Sequence, residues 1–195
     1  MSEKSERWEK TEKLLLKLTD TLDGVARQQA RIVERLERLE SGRASASEPT
    51  RVLGFLDGFR ANEALGEASL GAWIAVCRDA CLRGGLRTIQ RREGMHARLL
   101  EERLKELGGS PRYEVPDEVC ERAMKAASRT DVSDAKKLLD YTAQFRDVEA
   151  ALAPIAKMAD RLDGDRETQS LLRTIMQDER ATLTFLHEAC AQLNG

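Results

Sequence analysis

Two stretches of this 195-residue chain repeat one another at an offset of 86 residues. The segment FRANEA at 59–64 aligns with FRDVEA at 145–150, and LRTI at 86–89 aligns without a gap with LRTI at 172–175. A repeat at a fixed offset marks two copies of one supersecondary unit. We therefore expect two similar halves, each built from the same two elements in the same order.

Each repeated unit is predicted to be a pair of helices. Aromatic residues make up only 4% of the chain, and Ala, Leu, Glu and Arg dominate, which is typical of helices with a charged outer face. Apolar periodicity predicts long helices at 50–77, 80–107, 133–162 and 166–193, with very short turns inside each pair. Asp79 and Asp165 are equivalent in the repeat and are predicted to cap the second and fourth helices.

A long segment, 108–131, separates the two pairs and has room for a short helix after Pro116. Short turns make neighbouring helices antiparallel, and a long connection can run the length of a bundle. The predicted fold is all-α: a four-helix bundle of two antiparallel hairpins joined by a long crossover.

The first 42 residues show a different pattern, a seven-residue period with a narrow apolar seam. One seam position holds Trp8, Leu15, Leu22, Gln29 and Leu36, and the other holds Thr11, Leu18, Val25, Ile32 and Leu39. This spacing predicts a coiled-coil helix over 1–42 that self-associates, although the segment could instead fold back on its own domain. A polar linker at 43–50 would then lead to the bundle at 51–195.

Carboxylates interrupt the apolar stripes that face the predicted core. Both Glu93 and His96 interrupt the stripe of the second helix, and Glu179 and Thr182 interrupt that of the fourth. The stripe of the third helix is interrupted by one carboxylate, Glu149. In the first helix both Glu63 and Glu67 qualify, and only the repeat selects Glu63.

Four carboxylates at one level of a core would repel one another, and each would lose solvation. Two divalent cations would neutralise all four. The spacing Glu93-x-x-His96 places a carboxylate and an imidazole on one helical face, where both could bind the same ion. Carboxylate and imidazole ligands favour first-row metals such as iron or manganese.

With these residues the chain resembles the ferritin-like di-iron carboxylate superfamily, which includes ferritin and rubrerythrin, over about residues 50–195. The resemblance implies two iron ions, with manganese as the other candidate, and ferroxidase activity or a reaction with O₂ or peroxide. The chain would then be a possible oxidoreductase. The implied metal ligands are Glu63, Glu93, His96, Glu149 and Glu179, with Glu67 and Thr182 as alternates. Thr182 occupies the position of the second histidine.

Two other interpretations remain open. The carboxylates could instead form buried ion pairs with arginines that also recur in the repeat, namely Arg60, Arg87, Arg146 and Arg173. If Thr182 marks the loss of activity, the bundle could be a degenerate, non-catalytic scaffold that acts through the coiled coil as an oligomerisation or interaction protein.

Charge and cysteine content restrict the partners. The chain has 32 basic and 34 acidic residues and no long block of one sign, so nucleic acid is not indicated. Its longest apolar runs are too short to span a membrane. The four cysteines fit no disulfide framework and the first residues lack the apolar core of a signal peptide, which favours the cytoplasm. The expected partners are metal ions, O₂ or peroxide, and further copies of the chain.

Overall fold

A computed structural model describes residues 48–194, so the predicted coiled coil and most of the predicted linker lie outside the described residues. Six α-helices and one 3₁₀ turn make up this part of the chain. They are α1 (Glu48–Val76), α2 (Ala80–Glu106), α3 (Asp117–Ser128), α4 (Asp134–Thr142), the 3₁₀ turn (Ala143–Phe145), α5 (Val148–Asp160) and α6 (Arg166–Asn194). All regular structure in the described residues is helical.

The first hairpin packs α1 along α2, and the second packs α4 and α5 along α6. Both predicted caps form: the side chain of Asp79 accepts a hydrogen bond from Leu82 N at 2.7 Å, and that of Asp165 accepts one from Thr168 N at 3.0 Å. Each carboxylate thereby satisfies a backbone N–H that the first turn of a helix leaves free.

The crossover between the hairpins contains α3, which begins directly after Pro116 and packs against α1. The first residues of the crossover are held by the buried Asp57, which accepts hydrogen bonds from Arg112 N at 2.8 Å and Tyr113 N at 2.7 Å. At the far end of the crossover, Asp134 accepts hydrogen bonds from Trp73 Nε1 at 2.9 Å and from the backbone N of Arg78 and Asp79 at 2.7 and 3.1 Å. One carboxylate therefore fixes each end of the crossover to the first hairpin.

The prediction of one continuous helix over 133–162 is wrong. The chain leaves α4 at Thr142, forms the 3₁₀ turn and starts α5 at Val148. The hydroxyl of Thr142 donates to Leu138 O at 2.8 Å, an arrangement that bends helices. The carboxylate of Asp147 accepts from Ala150 N at 3.0 Å and so begins a new helix.

Two apolar clusters fill the bundle at different heights. One includes Leu56, Leu100, Leu104, Leu172 and Ile175, and the other includes Trp73, Leu82, Leu86, Leu138 and Leu186. On each of α1, α2 and α6, the predicted site residues lie in the sequence between a residue of one cluster and a residue of the other. The polar site therefore lies at mid-height, between two apolar layers. No helix among the described residues is long and apolar enough to cross a lipid bilayer.

Candidate metal centre

Three helices bring polar side chains to the middle of the bundle. Helix α1 supplies Glu63, α2 supplies Glu93 and His96, and α6 supplies Glu179 and Thr182. Glu63 is 5% exposed, His96 1% and Thr182 2%, which is unusual burial for such groups. Buried polar and charged groups need hydrogen-bonding or ionic partners, and His96 is the main partner of the carboxylates in this cluster.

The imidazole of His96 is surrounded by carboxylates. Its Nδ1 lies 3.0 Å from Glu63 Oε2 and 3.4 Å from Glu179 Oε1, and its Nε2 lies 3.2 Å from Asp178 Oδ2. Burial opposes protonation of the ring, but hydrogen bonds to Glu179, Glu63 and Asp178 outweigh it and raise the pKa of His96 to about 10. In the metal-free molecule the ring is therefore an imidazolium that neutralises part of the acidic cluster.

The carboxyl groups of Glu63 and Glu93 share a hydrogen bond. Burial raises the pKa of Glu63, although the hydrogen bond from His96 opposes this. Burial and then the negative charge of Glu63 raise the pKa of Glu93 well above its ordinary value. Burial and the charge of Glu63 therefore favour the protonated form of Glu93.

Two glycines make room for acidic side chains between α1 and α2. A Cβ atom on Gly66 would collide with Glu93 Oε2 and lie 3.1 Å from its Cδ. In the reciprocal arrangement, a Cβ on Gly94 would collide with the carboxylate of Glu67. The absence of a side chain at Gly66 is thus a condition for the observed position of Glu93.

The geometry fits a metal ion. Single ligand atoms from Glu63, His96 and Glu179 all lie within 4.8 Å of one another. Bonds of about 2.0–2.2 Å place two ligands of one ion at most about 4.4 Å apart, so only a small contraction is needed. Within the described residues, the buried Thr182 Oγ1 has no hydrogen-bond partner, and the buried Glu179 Oε1 has only its long, 3.4 Å contact with His96 Nδ1. A cation would give the carboxylate oxygen a closer partner.

Most of the predicted ligands come together, but Glu149 does not. The structure gathers Glu63, His96 and Glu179, with Glu93 hydrogen-bonded to Glu63. Glu149 lies at the surface, its side chain 70% exposed, and binds Arg180 through two hydrogen bonds of 2.8 and 2.9 Å. The cause is the break in the predicted third helix, which places Glu149 in the first turn of α5.

The two alternates differ in position. Thr182 is buried on α6, one helical turn from Glu179. Glu67 is half-buried beside Gly94, one turn along α1 from Glu63. It is not among the three residues whose ligand atoms converge.

Among the described residues, the converging carboxylates of Glu63 and Glu179 pair with His96 rather than with an arginine. Arg60 binds Asp57 at 2.9 Å, and Arg173 lies 3.4 Å from Asp160. Glu149 does pair with an arginine, but with Arg180, which was not among the four considered.

Sequence reasoning missed Asp178. Its side chain is 31% exposed and binds His96 Nε2, the nitrogen that points away from Glu63. Asp178 immediately precedes Glu179 and so lies off the apolar stripe used to find the site. The available signal was a second acidic residue next to a predicted ligand.

The chain matches no protein-family model. No curated protein matches it either. Among solved structures it is similar to a dodecameric thioferritin in the bacterial domain, the bacterioferritin-related protein from Bacteroides fragilis. The TM-score is 0.55 and the sequence identity 15%, over 75% of this chain and 89% of that chain. The chain therefore has a ferritin-like fold, as its sequence resemblance implied.

Proposed function

We propose that this chain binds Fe(II) at Glu63, Glu93, His96 and Glu179 and oxidises it with O₂ or peroxide. The convergence of ligand atoms from three helices within 4.8 Å, in the interior of the bundle, is the observation that carries the proposal. Several buried carboxylates around one imidazole leave negative charge that a bound cation would neutralise.

The donor set supports iron or manganese over other metals. Carboxylate and imidazole are the ligands that first-row divalent ions take from proteins, whereas the soft thiolates of the four cysteines belong to no group of three metal-ligating side chains among the described residues. Iron bound here would supply the change between Fe(II) and Fe(III) that reduces O₂ or peroxide. The ferritin-like fold supports iron rather than manganese, because the similar solved structure is described as a thioferritin.

In this proposal, His96, Asp178 and Glu93 control the release of protons on metal binding and the orientation of the imidazole ring. His96 must release the proton at Nδ1 before that nitrogen can bind a cation. Asp178 continues to accept the hydrogen bond from Nε2, so the ring keeps its orientation while its charge changes. Glu93, whose pKa is raised by burial and by the charge of Glu63, would bind a cation in its deprotonated form.

The proposal also concerns a second ion and the assembly of several copies of the chain. The resemblance implies two ions, and the second depends on Glu149 and Thr182. The predicted coiled coil at 1–42 would assemble several copies, and the similar structure is itself a dodecamer. We propose that this chain is also a homo-oligomer.

Anaerobic loading with Fe(II), followed by desalting and metal analysis, tests the proposal. The wild type should retain iron and gain ferric absorbance on exposure to O₂, whereas His96→Ala should retain none. Glu101→Gln is a matched control on the same helix, since Glu101 is part-exposed and pairs only with Lys105. A folded wild type that retains no iron would contradict the proposal and leave the scaffold interpretation.

A further inference from the structure

We infer that each chain holds one metal ion in this site rather than two. The inference rests on the proposed metal binding and concerns its stoichiometry. The ligand atoms of Glu63, His96 and Glu179 converge, and Glu93 lies beside Glu63, so a first ion would draw on these side chains. A second ion beside it would need ligands of its own, and the two residues expected to supply them are Glu149 and Thr182.

Glu149 is held away from the site by its own partner. Both of its carboxylate oxygens accept hydrogen bonds from Arg180, at 2.8 and 2.9 Å, a two-point contact that fixes the carboxylate in orientation as well as position. Arg180 directly follows Glu179 on α6. The helix that carries one ligand of the first ion therefore also holds Glu149 at the surface.

The break that turns Glu149 outward is itself anchored at several points. Asp147 caps α5 by accepting from Ala150 N at 3.0 Å. His187 on α6 donates from Nε2 to Phe145 O at 2.8 Å, so it satisfies a carbonyl at the end of the 3₁₀ turn. To bring Glu149 inward the chain would have to give up these contacts and the Arg180 pair together.

Thr182 does not replace the missing ligands. It occupies the position of the second histidine but offers one neutral hydroxyl oxygen, a weaker ligand than imidazole or carboxylate. That oxygen is buried and has no hydrogen-bond partner within the described residues. With Glu149 at the surface, the residues expected to bind a second ion are reduced to this hydroxyl and to ligands shared with the first. Glu67 is not among the described side chains whose ligand atoms converge, and Asp178 is already hydrogen-bonded to His96 Nε2.

The number of ions can be counted with Co(II), which binds slightly more tightly than Fe(II) to such ligands and does not oxidise readily. Equilibrium dialysis of the full chain against Co(II), under anaerobic and reducing conditions, gives the ions bound per chain at saturation. Three proteins are compared: the wild type, Glu149→Ala and His96→Ala. Because Glu149 is exposed, its replacement does not endanger folding.

We expect one ion per wild-type chain, the same number and affinity for Glu149→Ala, and none at this site for His96→Ala. Two ions in the wild type, with one lost in Glu149→Ala, would overturn the inference while supporting the proposed function. No bound ion in the wild type, or an ion retained in His96→Ala, would instead overturn the proposed function and with it the single-ion inference.

Discussion

His96 organises the site at the scale of single residues. Its two ring nitrogens contact three carboxylates, at 3.0, 3.2 and 3.4 Å, and the ring itself is buried. In the metal-free state the imidazolium charge offsets the negative charge of the cluster. A bound divalent ion would take over that role, so proton and metal compete for the same place.

This competition predicts how stability depends on pH. The pKa of His96 rises from 6.5 to about 10 on folding, so its contribution is complete below about pH 6.5 and is lost as pH rises toward about 10. The raised pKa values of Glu63 and Glu93 act in the same direction at lower pH. Urea unfolding of the metal-free wild type should therefore show lower stability at about pH 9.5 than at about pH 6.5.

His96→Gln is the control for that measurement. It retains hydrogen-bonding capacity but cannot titrate, so it should show a weaker loss of stability over the same range. An equal loss in both proteins would mean that His96 is not the titrating group. In the wild type, Co(II) binding near neutral pH should also release protons, which calorimetry in buffers of different ionisation enthalpy detects.

The substitution Gly66→Ala should weaken metal binding. Its Cβ would displace the carboxyl of Glu93, and such overpacking costs about 1–3 kcal/mol. Co(II) affinity should therefore fall about 5- to 100-fold. Gly58→Ala is the matched control on α1, because a Cβ there meets no atom within 4 Å. It should leave affinity unchanged and stabilise the helix by about 0.5–1 kcal/mol. Equal affinities for the two variants would contradict the role assigned to Gly66.

The sequence prediction of site residues rested on the repeat and the apolar stripe. Both criteria select Glu63, Glu93, Glu149 and Glu179, whereas His96 lies on the stripe but aligns with Thr182 in the repeat. The ligand atoms of Glu63, His96 and Glu179 converge, and Glu149 lies at the surface. Asp178 satisfies neither, since it lies next to the stripe and reaches His96 only because of how α2 and α6 pack. Side chains that join a site from its edge depend on interhelical geometry, which periodicity does not contain.

At the scale of elements, the repeat led to the wrong prediction that both hairpins begin with one continuous helix. Its first copy, FRANEA, lies inside the continuous α1, but the second, FRDVEA, spans the end of the 3₁₀ turn and the start of α5. The difference is visible in the sequence: Asp147 replaces the buried Ala61. An aspartate favours a helix start, and Pro154, which cannot donate a backbone hydrogen bond, further weakens a long continuous helix. Glu149 lies outside the cluster for this reason.

Asp134 is expected to be the element-level contact most sensitive to substitution. It accepts hydrogen bonds from Trp73, Arg78 and Asp79 and so joins α4 to the turn between α1 and α2. Asp134→Ala leaves these donors without a charged acceptor and should cost about 2–4 kcal/mol of unfolding free energy. Asp131→Ala removes an exposed carboxylate paired with Arg129 and should leave the free energy of unfolding nearly unchanged, because exposed ion pairs contribute little. Similar values from urea unfolding would refute this assignment.

At the scale of the whole molecule, the site separates two apolar clusters that each contain residues of the first and the second hairpin. The clusters fix the distances between α1, α2 and α6, and these distances determine how far apart the polar side chains at mid-height lie. The bounds of these three helices differ from the sequence prediction by at most two residues, because long periodic helices carry the strongest local signal. Their packing supports the ferritin-like fold independently of the site.

Assembly remains a prediction from the heptad pattern. Light scattering of the full chain should show an oligomer, and Leu22→Asp in the seam should lower its mass because a charge in that position is strongly unfavourable. Lys17→Asp introduces the same residue outside the seam and should leave the mass unchanged. Metal binding should persist in both variants. A monomeric wild type, or equal masses for all three proteins, would refute the coiled-coil prediction.

The most direct test of the central claim is a crystal structure grown with Co(II), with anomalous differences collected above and below the cobalt absorption edge. We predict one strong peak per chain, within bonding distance of Glu63, His96 Nδ1 and Glu179, with Asp178 still on Nε2 and Glu149 still on Arg180. A map with no peak there, and His96 still bonded to the carboxylates, would contradict the account.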